Sequence, residues 1–185
     1  MVLKFKTITM KIFFHRLAIL FLFSVFSLSL VGQGFDVVEK GDKVPEFAIE
    51  IEDGKTLNIS DYEGSVVFIN FFATWCGPCR KELPFLQKDV WDKYKTKDNF
   101  KLMAIGRGHD QEEVDTFKKE QGFQIPMYGD KDKSVYTKFA TRYIPRNYII
   151  DADGEIVYAS QGFSKEEFEK MVDLLDLLIL DEAGQ

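Results

Sequence analysis

The sequence predicts an α/β fold, a mixed central sheet with helices on both faces and an N-terminal β-hairpin. Three observations carry that expectation. Val66–Phe72 is apolar except at Asn70, the pattern of a central strand covered on both faces. A helix-patterned segment from Cys76 to about Lys95 and a second apolar strand, Phe100–Ile105, complete a β-α-β unit. Later, Asn147–Ile150 and Glu155–Ala159 flank the turn Asp151-Ala152-Asp153-Gly154, and a capped helix closes the chain. A β-α-β unit followed by an antiparallel hairpin and a helix makes a mixed sheet.

Taken in order, residues 1–34 read as a targeting segment. Lys4, Lys6, Lys11, His15 and Arg16 precede the apolar run Leu17–Val31, and the small residues Gly32-Gln33-Gly34 follow, the order of a signal peptide. Translation from Met10 would give a more usual basic region. The run has fifteen residues, three of them serines, which is short for a spanning helix of about 20. Cleavage is expected, with a retained N-terminal anchor as the alternative. In both cases the domain, residues 35–185, is exported to the periplasm or cell envelope and meets the membrane only through a retained anchor. No cysteine stands directly after the apolar run, which argues against a lipoprotein.

Phe35–Lys43 is a polar lead-in. Val44-Pro45-Glu46-Phe47 starts a strand through Ile51, Glu52-Asp53-Gly54-Lys55 is a turn, and Thr56–Ile59 is the second arm of the hairpin. Ser60–Gly64 is a helical turn. The helix from Cys76 carries Leu83, Leu86, Val90 and Tyr94 on one stripe, with a kink expected at Pro84. Asp110-Gln111-Glu112-Glu113 is a capping-box-like start for a helix that buries Val114 and Phe117 and stops at Gly122. A shorter helix is expected over Ser134–Phe139. Ser164 caps the last helix, whose inward stripe is Phe168, Met171, Val172, Leu175 and Leu178.

Composition sets the bounds. Of 185 residues, 45% are hydrophobic and eighteen are Phe, ample for an aromatic-rich core. The formal charge is −6, but the four basic residues of the targeting segment leave 20 basic against 30 acidic beyond it, a net of −10. That argues against a nucleic-acid partner, which requires clustered positive charge.

The only two cysteines stand as Cys76-Gly77-Pro78-Cys79 at the start of a helix. Residues at i and i+3 share a helical face, which suits a disulfide that can close and reopen. Cys76 lies near the unpaired N–H groups and positive dipole end, which favour its thiolate; Cys79, one turn in, is the resolving thiol. Gly77 leaves room for a second chain, and Pro78 is tolerated because first-turn amides have no helical partner. Trp75 is expected to pack beside the pair and shield it. The alternatives are a structural bridge, which would constrain so small a loop little, or half a metal site. No metal is expected, because zinc needs about four ligands and the chain beyond the targeting segment adds only His109. A c-type haem site would need His where Arg80 stands. The redox reading, with the Cys76–Cys79 disulfide as the redox group and no further cofactor, is preferred.

Phe72-Ala73-Thr74-Trp75-Cys76-Gly77-Pro78-Cys79 with Pro84 resembles the thioredoxin superfamily. Val44-Pro45-Glu46-Phe47, Asn70, Glu82 and Ile144-Pro145 ahead of Tyr148–Gly154 resemble its exported, reductive TlpA/ResA-like branch. The resemblance implies a thioredoxin-like fold over about residues 41–180 and a protein-disulfide reductase. Its partners would be disulfide-containing client proteins, apocytochrome c among them, and an upstream membrane thiol electron donor. It implies that Pro145 is cis and that the Ile144 backbone receives an extended client strand. Asn70 stands where cytosolic relatives carry a buried acid; as a non-titrating residue it either leaves that role to another group or is simply a satisfied polar residue. Glu82 would then take the proton from Cys79 if burial raises its pKa, against the alternative of a solvated helical Glu. Arg146 replaces the Thr of many relatives, either as a guanidinium beside the dithiol or as a solvated side chain pointing away. A peroxidase of the peroxiredoxin kind, which needs Thr where Ala73 stands, and a non-catalytic binding module are the rival functions. His109 is expected in a surface loop, with a place facing the site as the alternative.

Overall fold

The computed structural model describes residues 35–51 and 54–182; the targeting segment expected over 1–34, and Glu52 and Asp53 of the first expected turn, lie outside the described residues. Near the N-terminus, β1 (Ala48–Glu50) pairs antiparallel with β2 (Thr56–Asn58), the expected hairpin, with Ile49 opposite Leu57. The main sheet holds β3 (Val66–Phe72), β4 (Phe100–Arg107), β5 (Met127–Asp130), β6 (Arg146–Ile150) and β7 (Ile156–Gln161), in the order β5-β4-β3-β6-β7. β4 runs parallel to β3 and β5 parallel to β4, whereas β6 and β7 are antiparallel.

Helix α1 (Gly77–Phe85) connects β3 to β4, and α2 (Gln111–Gln121) connects β4 to β5. Both crossovers step toward the same edge, so right-handed connections put both helices on one face. They share an apolar cluster there with Phe68, Phe72, Leu83, Val114 and Phe117. Helix α4 (Lys165–Glu182) joins it through Phe168, Met171, Leu175 and Ile179. The opposite face packs Val67, Ile69, Phe71 and Tyr148 against α3 (Tyr136–Phe139) and Ile49 of the hairpin. Every residue of β3 is buried. Each large side chain held there contributes about 1.5–3 kcal/mol relative to exposure.

Local chemistry sets the helix ends. Asp110 accepts from Glu113 N at 3.0 Å, the Glu113 carboxylate accepts from Asp110 N, and Gly122 closes α2 at φ 72°. Pro84 removes an amide from α1, and the chain widens into a π-helical stretch, Leu86–Trp91, before a final α-turn at Asp92–Tyr94. The expected disturbance thus comes just after the proline.

Strand β5 was not expected from the sequence. It is four residues long, follows Pro126 and contains Gly129 and Asp130, so strand propensity does not announce it. Parallel pairing to β4 supplies its stability. Gly129 is required there, since a Cβ would stand 2.7 Å from Gln111 N at the start of α2.

Candidate active site

The site lies where β3 hands over to α1. Cys76 is the N-cap, with extended backbone, and its sulfur accepts from Cys79 N at 3.3 Å. Cys76 and Cys79 are disulfide-bonded, with Cα atoms 5.3 Å apart. Cys79 is fully buried and Cys76 is 5% exposed. Gly77 and Pro78 occupy the first two helical positions, where Pro78 forfeits no helical hydrogen bond. Among the described residues, nothing beyond its chain neighbours and its own helix backbone stands within 4 Å of where a Gly77 Cβ would be, so the approach is open on that side.

The peptide bond Ile144–Pro145 is cis, as the resemblance implied. The Ile144 carbonyl oxygen lies 3.7 Å from Cys76 Sγ, so this loop borders the sulfur that a client must reach. Trp75 is 68% exposed. It does not shield the pair; with Thr74 and Arg80 it lines a groove that continues along Glu113 and Phe117 of α2. The reason is local: Cys76, at the cap, turns into the fold while its predecessor is left outside.

Glu82 is not solvated. It is 1% exposed, one turn after Cys79, with Oε2 accepting from Asn70 Nδ2 at 3.0 Å and Oε1 from Asn147 Nδ2 at 2.7 Å. Asn70 and Asn147 are opposite each other on β3 and β6, and Asn70 Nδ2 also donates to Asn147 Oδ1 at 2.7 Å. Burial pushes the Glu82 carboxyl up from 4.5 to about 7, against the smaller opposing pull of the two asparagine amides. Asn70 Oδ1 is a buried acceptor with no hydrogen-bond partner among the described residues. A protonated Glu82 would bring a donor to this same cluster. The carboxyl also borders a cleft of about 400 Å³ shared with Asn147, Tyr158, Ser160 and Glu167, an opening toward solvent on the α4 side.

Two further residues differ from expectation. The Arg146 side chain is neither beside the dithiol nor solvated. It is 1% exposed and paired with Asp36, with Nη2 donating to Gln161 Oε1 at 3.0 Å. Side chains alternate along a strand, so Arg146 leaves β6 on the face opposite Asn147 and Glu82. His109 is buried, not a surface-loop residue. Thr74 N donates to its Nε2 at 3.1 Å, which leaves the ring proton on Nδ1, 3.4 Å from Glu113 Oε2. It thereby ties the backbone two residues before Cys76 to α2. Asn147 was missed as a site residue; its signal was a polar residue opening an otherwise apolar strand pattern.

A thioredoxin-type sheet with an N-capping cysteine, its disulfide partner and a bordering cis-proline defines a thiol-disulfide exchange fold. Residues 40–159 match the AhpC/TSA family model, and the chain belongs to that family. It is 30% identical over 134 residues to the thiol-disulfide oxidoreductase ResA of Bacillus thuringiensis subsp. konkukian, covering 72% of this chain and 76% of that one. A solution structure from Bacteroides thetaiotaomicron, assigned as a protein disulfide isomerase, is 36% identical with TM-score 0.74, over 78% of this chain and 92% of that one. A crystal structure from Chlorobium tepidum, assigned as thiol:disulfide interchange protein DsbE, is 28% identical with TM-score 0.62, over 78% of this chain and 98% of that one. The chain is therefore a thiol-disulfide oxidoreductase of the TlpA/ResA-like type, with the expected fold.

Proposed function

We propose that this oxidoreductase reduces disulfides of client proteins in the cell envelope, with apocytochrome c before haem attachment as one client class. The observation that carries the reading is the Cys76–Cys79 disulfide at the N-terminus of α1 with the Ile144 carbonyl beside Cys76. In the reduced enzyme the Cys76 thiolate attacks a client disulfide, forming a mixed disulfide and releasing one client thiolate. Cys79, having given up its proton, then attacks the Cys76 sulfur, frees the second client thiolate and closes the pair. Two electrons from an upstream membrane thiol donor reset the dithiol.

The chain's own residues supply the rest. The α1 dipole favours the Cys76 thiolate. Glu82, with a pKa of about 7, both accepts the Cys79 proton and returns it at neutral pH. Ile144 and Pro145 present backbone to an extended client, while Trp75 offers an exposed aromatic face beside Cys76.

The test is a trap: Cys79→Ser expressed in the native cell leaves clients joined to Cys76. Envelope proteins with haem-attachment cysteines among the captured species are the expected result. Capture of none, from a wild-type enzyme that also fails to reduce insulin, would remove the reductase reading. A peroxidase would instead turn over hydrogen peroxide with a regenerated dithiol, and Ala73 in place of Thr speaks against it.

A further inference from the structure

The loop that borders Cys76 is held by residues far from it in sequence. Arg146 Nε donates to the carbonyl oxygens of Arg142 at 3.0 Å and Tyr143 at 3.3 Å, and Tyr136 Oη donates to the same Tyr143 oxygen at 2.7 Å. These carbonyls come immediately before Ile144–Pro145, and Tyr143 has φ 68°, a backbone region that a large side chain occupies only when its neighbours impose it. A guanidinium this buried needs an opposite charge, and its ion-pair partner is Asp36.

Asp36 belongs to a short strap at the start of the described chain. Asp36 forms a bridge with Ala140, Val37 N donates to Phe139 O at 2.9 Å, and Thr141 N donates to Phe35 O at 2.8 Å. The Phe35 ring packs edge-on against Tyr143, with centroids 5.1 Å apart. The strap thus fastens both ends of the segment from Phe139 to Tyr143, through its backbone on one side and through Arg146 on the other. We propose that Asp36 and Arg146 are positioning residues for client binding, holding the 142–145 backbone where the client strand must pair beside Cys76. The residues immediately after the expected targeting segment thereby become part of the client site. This inference rests on the client-reduction reading above.

The experiment compares wild-type protein, Asp36→Asn and Asp36→Glu on two substrates, with dithiothreitol as reductant. One is a disulfide-bonded peptide, which needs the loop backbone. The other is a small aromatic disulfide, which needs only the Cys76 sulfur. Asp36→Asn is expected to raise the peptide KM about fivefold with kcat unchanged. Its small-disulfide rate should stay at the wild-type value, and Asp36→Glu should restore the peptide KM. An unchanged peptide KM, or equal losses on both substrates, would overturn the positioning role while leaving the reductase reading intact. A wild-type protein that reduces neither substrate would overturn both.

Discussion

Asn147 and Arg146 are neighbours in β6, and each is a buried side chain in a polar cluster, but the cluster of Asn147 is buried throughout whereas the partners of Arg146 reach the surface. On the α1 face, Glu82 is surrounded by the neutral amides of Asn70 and Asn147, with no cation bonded to it among the described residues. On the other face, Arg146 is matched by Asp36 and by backbone carbonyls. Burial without an opposite charge disfavours the ionised form, so Glu82 titrates near neutrality. Burial with one fixes the charge and makes the group architectural. A shift of one residue along a strand thus separates a group able to move a proton from a group able only to hold a loop.

The largest expected consequence is in stability. Between about pH 4.5 and 7 the folded protein keeps a proton on Glu82 that the unfolded chain releases. Stability therefore falls as pH rises through that window and levels off above it, a loss of roughly 3 kcal/mol from this group. Glu82→Gln should flatten the profile by about that amount in urea denaturation from pH 4 to 8; a variant profile parallel to the wild type would break the contrast. Next in size, Arg146→Met should cost roughly 2 kcal/mol, because it strips Asp36 and two carbonyls of their partner. That loss should be the same at pH 5 and pH 8, and a loss that grows or shrinks across the window would put Arg146 in the titrating class. The smallest effect tests the amides: Asn147→Ala removes a hydrogen bond that holds Glu82's pKa down. The Glu82 titration, followed by carbon-13 NMR of the carboxyl, should move up by about one pH unit. A downward move would show that Asn147 disfavours the anion.

The parts legible in the sequence were those whose chemistry is local. Cys76, Pro78 and Cys79 lie within one turn of a helix start, so spacing relates them, and Glu82, picked out by the family resemblance, lies one turn further on. The central strand and the capped helices follow from apolar period and end residues. What the sequence hid depends on register between distant strands. Asn147 meets Asn70 only because β6 pairs antiparallel to β3 in that register, and the same register sends Arg146 to the other face. His109 was hidden for a similar reason, since its partner amide at Thr74 comes from a different strand end. Trp75 followed propensity rather than geometry: a large aromatic beside a buried cysteine suggests a shield, yet the cap turns it outward.

The central claim is that Glu82 takes the proton from Cys79 as the mixed disulfide resolves. Acid-quenched stopped-flow measurement of that step, from pH 5 to 9, tests it in wild-type protein and Glu82→Gln. The account predicts a wild-type rate with an inflection near pH 7. In Glu82→Gln the inflection should be absent and the rate at pH 7 about 100-fold lower. Superimposable rate profiles for the two proteins would contradict it.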